Sequence, residues 1–177
     1  GALVCVDGAQ STPHMSVDVQ DLDIDFLAFS VHKMCGPSGM GGLWGRYDLL
    51  DGLRTIQAGG QTVEYSTYNS MKWAKPPGRF EGGLGNFSGM IGTGAAVEYL
   101  SNFDMDDIND HEMRLNQIMT DGIKDLPGIE IIGPLDARKR GGICSILMGD
   151  IPVHDIAILL DEAAGVMVRS GQHCVHS

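Results

Sequence analysis

Two short apolar runs near the start of the chain each end on charged side chains, and this limits the sheet the chain can build. Ala-Leu-Val-Cys-Val (2–6) closes on Asp7-Gly8, and Asp-Ile-Asp-Phe-Leu-Ala-Phe-Ser (23–30) runs into Val31-His32-Lys33 and a turn around Gly36-Pro37. Both runs are too short for stable helices and rich in β-branched or aromatic residues. Their nearly continuous apolar character predicts strands covered on both faces, in a parallel or mixed sheet. A third strand is expected at 39–45, with a short polar link, long enough for a turn of helix, at 15–22. Ligands of such sheets gather outside the carboxyl ends of the strands. Asp7 and Lys33 are therefore expected to face one crevice.

Beyond this, residues 46–86 read as an irregular stretch punctuated by Gly59-Gly60, Pro76-Pro77 and Gly82-Gly83. A helix is expected over 90–103. A second follows over 104–126, with Ile108, Leu115, Ile118, Met119 and Ile123 on one face and acids in its first turn, where the helix dipole favours them. Pro127-Gly128 ends it. Strands at 129–132 and 142–148, an amphipathic helix at 153–164 and a last strand at 165–168 complete an α-β-β-α-β order. The expected fold is α/β, with one unit over 1–102 and a smaller α/β unit over 103–177.

Twelve basic against 23 acidic residues give a net charge of −11, a field that repels nucleic acid. No apolar run approaches the roughly 20 residues that span a bilayer, and no signal-peptide pattern opens the chain. The four cysteines, Cys5, Cys35, Cys144 and Cys174, form no C-x-x-C pair, so reduced thiols and a cytoplasmic setting are expected. The glycines after Lys33 do not follow the dinucleotide-binding pattern. His173, Cys174 and His176 lie too close together to enclose a tetrahedral metal ion without a distant ligand, and no metal is expected. Asp104, Asp106 and Asp107 read as a helix start.

A lysine at a strand end, made less basic by its surroundings, is a nucleophilic amine able to form a Schiff base. A carboxylate opposite it suits a pyridinium nitrogen, the partnership that pyridoxal phosphate requires. Ser30 and His32 are placed to bind a phosphate, and Gln10 follows Asp7 by a turn. Spacing alone leaves a plainer reading open, in which Lys33 is a surface lysine and Asp7 a strand cap. Cys174, flanked by His173 and His176 with Arg169 nearby, sits in an electropositive setting that favours the reactive thiolate. Cys5 and Cys144 are expected in the core, and Cys35 in structural packing.

Together, VDGAQ (6–10), SVHK (30–33), RFEGG (79–83) and GVMVRSGQHC (165–174) resemble the motifs of class V, fold-type I pyridoxal-phosphate enzymes. The last run resembles the cysteine desulfurases of the Suf-type group, which carry an R-[ST]-G-H-H-C loop. The resemblance implies part of a large cofactor-binding domain with a mixed, mostly parallel sheet, followed by a smaller domain bearing the cysteine loop. It implies that Lys33 forms the Schiff base with pyridoxal phosphate, Asp7 pairs with its ring nitrogen, Gln10 with its phenolic oxygen, and Ser30 and His32 with its phosphate. Cys174 would take sulfur from L-cysteine as a persulfide, leaving L-alanine, and Arg169 would shape the loop or meet a carboxylate, with His173 beside the thiol. A sulfur-acceptor protein, iron–sulfur cluster assembly and a homodimer are implied as well. Leu84 stands where the family pattern has threonine and Gln172 where it has histidine. The chain is also expected to be a fragment, since family members extend at both ends. A selenocysteine lyase or a kynureninase-like hydrolase would use Lys33 and Asp7 on another substrate. A non-catalytic sulfur carrier would need only Cys174.

Overall fold

The computed structural model describes residues 1–173. They form two compact units, Gly1–Asp106 and the residues from Asp107 on. Cys174 and His176 lie outside the described residues.

The first unit is built on a three-stranded sheet of β1 (Cys5–Asp7), β2 (Phe26–Ser30) and β3 (Gly41–Gly45), in that order. β1 and β2 run parallel, with Cys5 opposite Phe26, Val6 opposite Leu27 and Asp7 opposite Ala28. β2 and β3 run antiparallel from Phe26–Gly45 to Ser30–Gly41. The sheet is thus mixed, and its parallel part is the β1–β2 pair. Phe26 and Leu27 are buried, as are Ile24 before the strand and Val31 after it. β3 supplies glycine where β2 supplies aromatic rings. A Cβ at Gly45 would lie 2.8 Å from Phe26 Cδ1, and one at Gly42 would clash with the ring of Phe29. The rings lie over the cross-strand glycines, covering backbone that has no side chain of its own.

Residues 46–86, expected to be irregular, hold a short helix α1 (Tyr47–Gly52) and a hairpin of β4 (Val63–Ser66) with β5 (Met71–Trp73). Thr67 closes the hairpin: its backbone nitrogen donates to Ser70 O at 2.7 Å, and its hydroxyl accepts from Ser70 N at 3.0 Å. No long apolar run announces these strands, because most of their side chains are exposed. Arg79 fastens the segment to α1. Its Nη2 donates to the carbonyls of Leu50, Asp51 and Leu53 at 2.5, 2.6 and 3.1 Å. It fills the acceptors that a helix end leaves open.

Helix α2 (Phe87–Leu100) starts at Asn86, whose side chain accepts from Gly89 N at 3.0 Å. Its inner face consists of Gly89, Gly92 and Ala96, at the spacing of one helical stripe. A Cβ at Gly92 would sit 2.5 Å from Pro37 Cγ, and one at Gly89 would run into Met40 and Asn86. The helix therefore lies against the turn that follows β2.

The second unit contains most of α3 (Met105–Ile123), an antiparallel pair of β6 (Ile129–Ile132) and β7 (Ser145–Met148), and α4 (Val153–Ala164). On α3 the buried positions are Asn116 and Thr120, while Leu115, Ile118 and Met119 of the expected apolar face are exposed. The reason lies in the loop between the strands. Asn116 Nδ2 donates to Gly141 O at 2.5 Å and Ile143 O at 3.1 Å, and Gln117 Oε1 accepts from Ala137 N at 3.0 Å. Arg140 donates to Thr120 Oγ1 and to Cys144 Sγ. Backbone groups that no strand satisfies must find side-chain partners, and α3 provides them.

Residues 165–168, expected to be a strand, are not one. Gly165, at φ +63°, ends α4 with its nitrogen on Asp161 O at 2.8 Å and Val166 N on Leu160 O at 3.1 Å. A strand requires a paired neighbour, and among the described residues none runs beside this segment.

Two substitutions in α2 separate packing from propensity. Gly92→Val is expected to destabilise the chain by about 1–3 kcal/mol through overpacking against Pro37. Gly94→Ala, where an added Cβ meets nothing within 4 Å, is expected to stabilise it by about 0.5–1 kcal/mol. Urea denaturation of both variants checks the opposite signs.

Candidate active site

The parallel register puts Asp7 beside Ala28, two residues before Ser30. Side chains alternate along a strand, so Asp7, Ala28 and Ser30 share one face. Cys5, Val6, Asp7, Ala9, Ala28, Phe29 and Ser30 line an open cleft of about 410 Å³, within the range of small-ligand sites, roughly 300–1,000 Å³. Asp7 is the last residue of β1, and its Oδ1 accepts from Ala9 N at 2.9 Å, which fixes the carboxylate at the mouth of the cleft. Gly8 donates to Ala28 O at 2.7 Å and so extends the β1–β2 pairing one residue past Asp7. A Cβ there would lie 2.7 Å from both Leu27 Cδ1 and Thr12 Oγ1, so a larger residue would have to displace these two side chains.

The β2 end is shaped by one buried residue. Val31 donates its N–H to Met40 O at 3.0 Å, while its carbonyl accepts from Met34 N at 2.9 Å and Gly36 N at 3.0 Å. This makes the tight turn Val31–Lys33, with Lys33 its last member and half-buried. Val31 is 3% exposed and Gly36 packs on it, with Ala96 of α2 behind. The lysine thus stands on a backbone held from below by Val31 and from the side by α2. His32 is exposed, as is Gln10, and neither they nor Lys33 are among the residues lining the cleft.

Three cysteine expectations need correction. Cys5 is exposed: among the described residues β1 has β2 on one side and no strand on the other, and Leu3 and Val4 before it are exposed too. Cys35 is also exposed, at φ +61° at the top of the turn. Cys144 is half-buried and precedes β7, its sulfur accepting from Arg140 Nη1 at 3.3 Å. The fourth, Cys174, falls outside the described residues.

In the second unit, the loop leading toward Cys174 is described as far as His173, which is exposed at φ +51°. Ser170 Oγ lies 2.8 Å from His154 Nδ1 at the start of α4. Arg169, Ser170 and Gly171 precede Gln172 and His173 in this loop, with Gly171 at φ +99°. The pairing of His154 with Ser170 is invisible to local sequence patterns, since the two are 16 positions apart. Leu84 is 85% exposed, so nothing in its surroundings demands an apolar side chain there.

The aminotransferase class-V family model matches residues 1–177. The chain belongs to the aminotransferase class-V family. A protein from Streptomyces coelicolor, named as a probable cysteine desulfurase, is 44% identical over 174 residues, covering 98% of this chain and 41% of that protein. The apo cysteine desulfurase from Thermococcus onnurineus superposes with a TM-score of 0.88 at 37% identity, over 98% of this chain and 43% of that one. The Escherichia coli cysteine desulfurase in its S-sulfonic acid form gives 0.87 at 33% identity, over 97% and 42%. The class-V chain described here therefore spans about two-fifths of the relatives it matches, and its α/β fold is theirs.

The exposures set an order of thiol reactivity. Iodoacetamide is expected to label Cys5 and Cys35 of the folded chain several-fold faster than Cys144, as read by peptide mass spectrometry.

Proposed function

We propose that the protein of which these residues form part is a pyridoxal-phosphate-dependent cysteine desulfurase, converting L-cysteine to L-alanine with transfer of sulfur to Cys174. The observation that carries this reading is the β1–β2 register. It sets the Asp7 carboxylate and the Ser30 hydroxyl on one face of a cleft, with Lys33 three residues beyond Ser30 on a braced turn. The donor set suits the cofactor. A carboxylate is the natural partner of a protonated pyridine nitrogen, a hydroxyl and an imidazole suit a phosphate, and a primary amine suits an aldehyde. The named activity of the relatives at 33–44% identity supports the same reading.

Asp7, oriented by Ala9 N–H, would hold the ring nitrogen in its cationic form, and Gln10 would hydrogen-bond the phenolic oxygen. Ser30 and His32 would donate to the phosphate, and Lys33 would hold the aldehyde carbon. When bound, the cofactor supplies an electron sink for bonds broken at the substrate α-carbon. The Cys174 thiolate attacks the substrate sulfur: an S–S bond forms, and the C–S bond breaks with its pair going to carbon. That carbon gains a proton, and L-alanine leaves. The Arg169 cation, with His173 beside the thiol, would favour the thiolate in a chain of net charge −11. Assignment to the Suf-type group, delivery of sulfur to an acceptor protein for iron–sulfur cluster assembly, a homodimer and a cytoplasmic setting belong to the same proposal.

Two variants test it. After incubation with pyridoxal phosphate and borohydride reduction, peptide mapping is expected to find a single adduct at Lys33, lost in Lys33→Ala. Cys174→Ser is expected to keep that adduct while the whole protein's alanine formation from L-cysteine falls about 10²-fold or more. Alanine formation undiminished in Cys174→Ser would overturn the sulfur-transfer step, and faster turnover of selenocysteine by that variant would indicate a lyase instead.

A further inference from the structure

The segment between α4 and the cysteine loop doubles back along its own helix. From His154 to Ala164 the helix advances about 15 Å at 1.5 Å per residue. Gly165 reverses the chain at φ +63°, with its nitrogen and that of Val166 bonded back onto Asp161 and Leu160. From Gly165 to Ser170 an extended chain covers about 16 Å at roughly 3.3 Å per residue, which is the return distance. The hydrogen bond confirms the return: Ser170 Oγ meets His154 Nδ1 at 2.8 Å, in the first turn of α4. The next residue continues the contact, since a Cβ added at Gly171 would lie 3.6 Å from His154 Cε1. Gly171 itself is at φ +99°, a conformation that favours glycine. The imidazole therefore holds Ser170 through Nδ1 and backs Gly171 with its edge.

We propose that His154 is a positioning residue for the cysteine loop, tying Ser170 to the start of α4 so that the loop carrying the sulfur-accepting thiol leaves the helix from a fixed point. The proposal rests on the reading of Cys174 as that thiol. The tie works with either protonation state of the ring. A neutral Nδ1 accepts from the serine hydroxyl and a protonated one donates to it, because a hydroxyl does both. Holding Ser170 four residues before Cys174 removes much of the freedom the loop would have to lose before reaction, which is where orientation contributes to rate. The expected signature is thus a loss in kcat with KM unchanged.

The chemistry of the ring selects the test. In asparagine, Oδ1 and Nδ2 are bonded to Cγ as Nδ1 is in histidine, so His154→Asn keeps the polar atom in place while His154→Ala removes it. His154→Ala and Ser170→Ala are each expected to speed hydrogen exchange over residues 166–173 about 3- to 10-fold, the effect of losing one exposed hydrogen bond. The double variant should add nothing further, and His154→Asn should restore slow exchange. In the whole protein, kcat for alanine formation from L-cysteine should fall by the same factor in the two alanine variants and recover in His154→Asn. Labelling of Cys5 and Cys35 should not change, reporting an undisturbed first unit. Unchanged exchange in both alanine variants, or additive effects in the double variant, would overturn the tie. Faster exchange with unaltered kcat would overturn its role in positioning. A wild-type protein that forms no alanine from L-cysteine would overturn the functional reading, while the exchange data would still decide the contact.

Discussion

Everything at the candidate site follows from one backbone constraint, the parallel pairing of β1 with β2 in the register that sets Asp7 beside Ala28. A slip of one residue would turn Asp7 to the opposite face from Ser30, because side chains alternate along a strand. Two features prevent the slip. Gly8 N–H is bonded to Ala28 O, and a side chain at Gly8 would crowd Leu27 and Thr12. Before the strand, Val4 N donates to Asp25 Oδ2 at 2.8 Å, and Val4 O accepts from Phe26 N at 3.1 Å. The register is thus held at both ends of a strand only three residues long. Hydrophobic burial alone would not hold it, since β1 itself is mostly exposed.

The same division of labour recurs elsewhere. Phe26, Leu27 and Val31 supply apolar burial around the central strand, but the loops are held by polar side chains in protected places. Thr62, fully buried, exchanges hydrogen bonds with Gly59 through its hydroxyl at 2.7 and 3.0 Å. Arg79 collects three carbonyls, and Asn116 collects two. A hydrogen bond of this kind contributes about 0.5–1.5 kcal/mol net, and more from a charged donor such as Arg79, so these side chains help to hold the irregular backbone in place. Arg79 belongs to the RFEGG run, and its bonds to the end of α1 give that motif a structural content independent of any ligand.

Legibility in the sequence divided along physical lines. β2, β3, β6 and α4 were readable because each pairs a clear period or apolar run with a clean stop: His32-Lys33 and the glycine turn after β2, Pro152 before α4, Gly165 after it. The hairpin β4–β5 was not, because an exposed hairpin needs neither alternation nor an apolar run. The inner face of α3 misled for the opposite reason. Its isoleucines and leucines carry the strongest apolar signal, but Asn116 and Thr120 carry the backbone hydrogen bonds that decide what this unit buries. The positions of Asp7, Ser30 and Lys33 at strand ends could be read directly. The bracing of the lysine turn by Gly89, Gly92 and Ala96 could not, because it depends on small residues whose significance appears only when a neighbour approaches.

The return of residues 165–170 along α4 makes that helix a ruler. Helical chain advances about 1.5 Å per residue and extended chain about 3.3 Å, so the two limbs of the loop are measured in different units. Lengthening α4 by one turn would move its first residues about 5.4 Å away from Gly165, a gap that two more extended residues would close. Insertions in the helix and in the returning limb must therefore come in a ratio near two to one if Ser170 is to reach its histidine. Where α4 changes length among proteins of this architecture, the spacing between the helix-ending glycine and the cysteine loop should change with it, by about half as much.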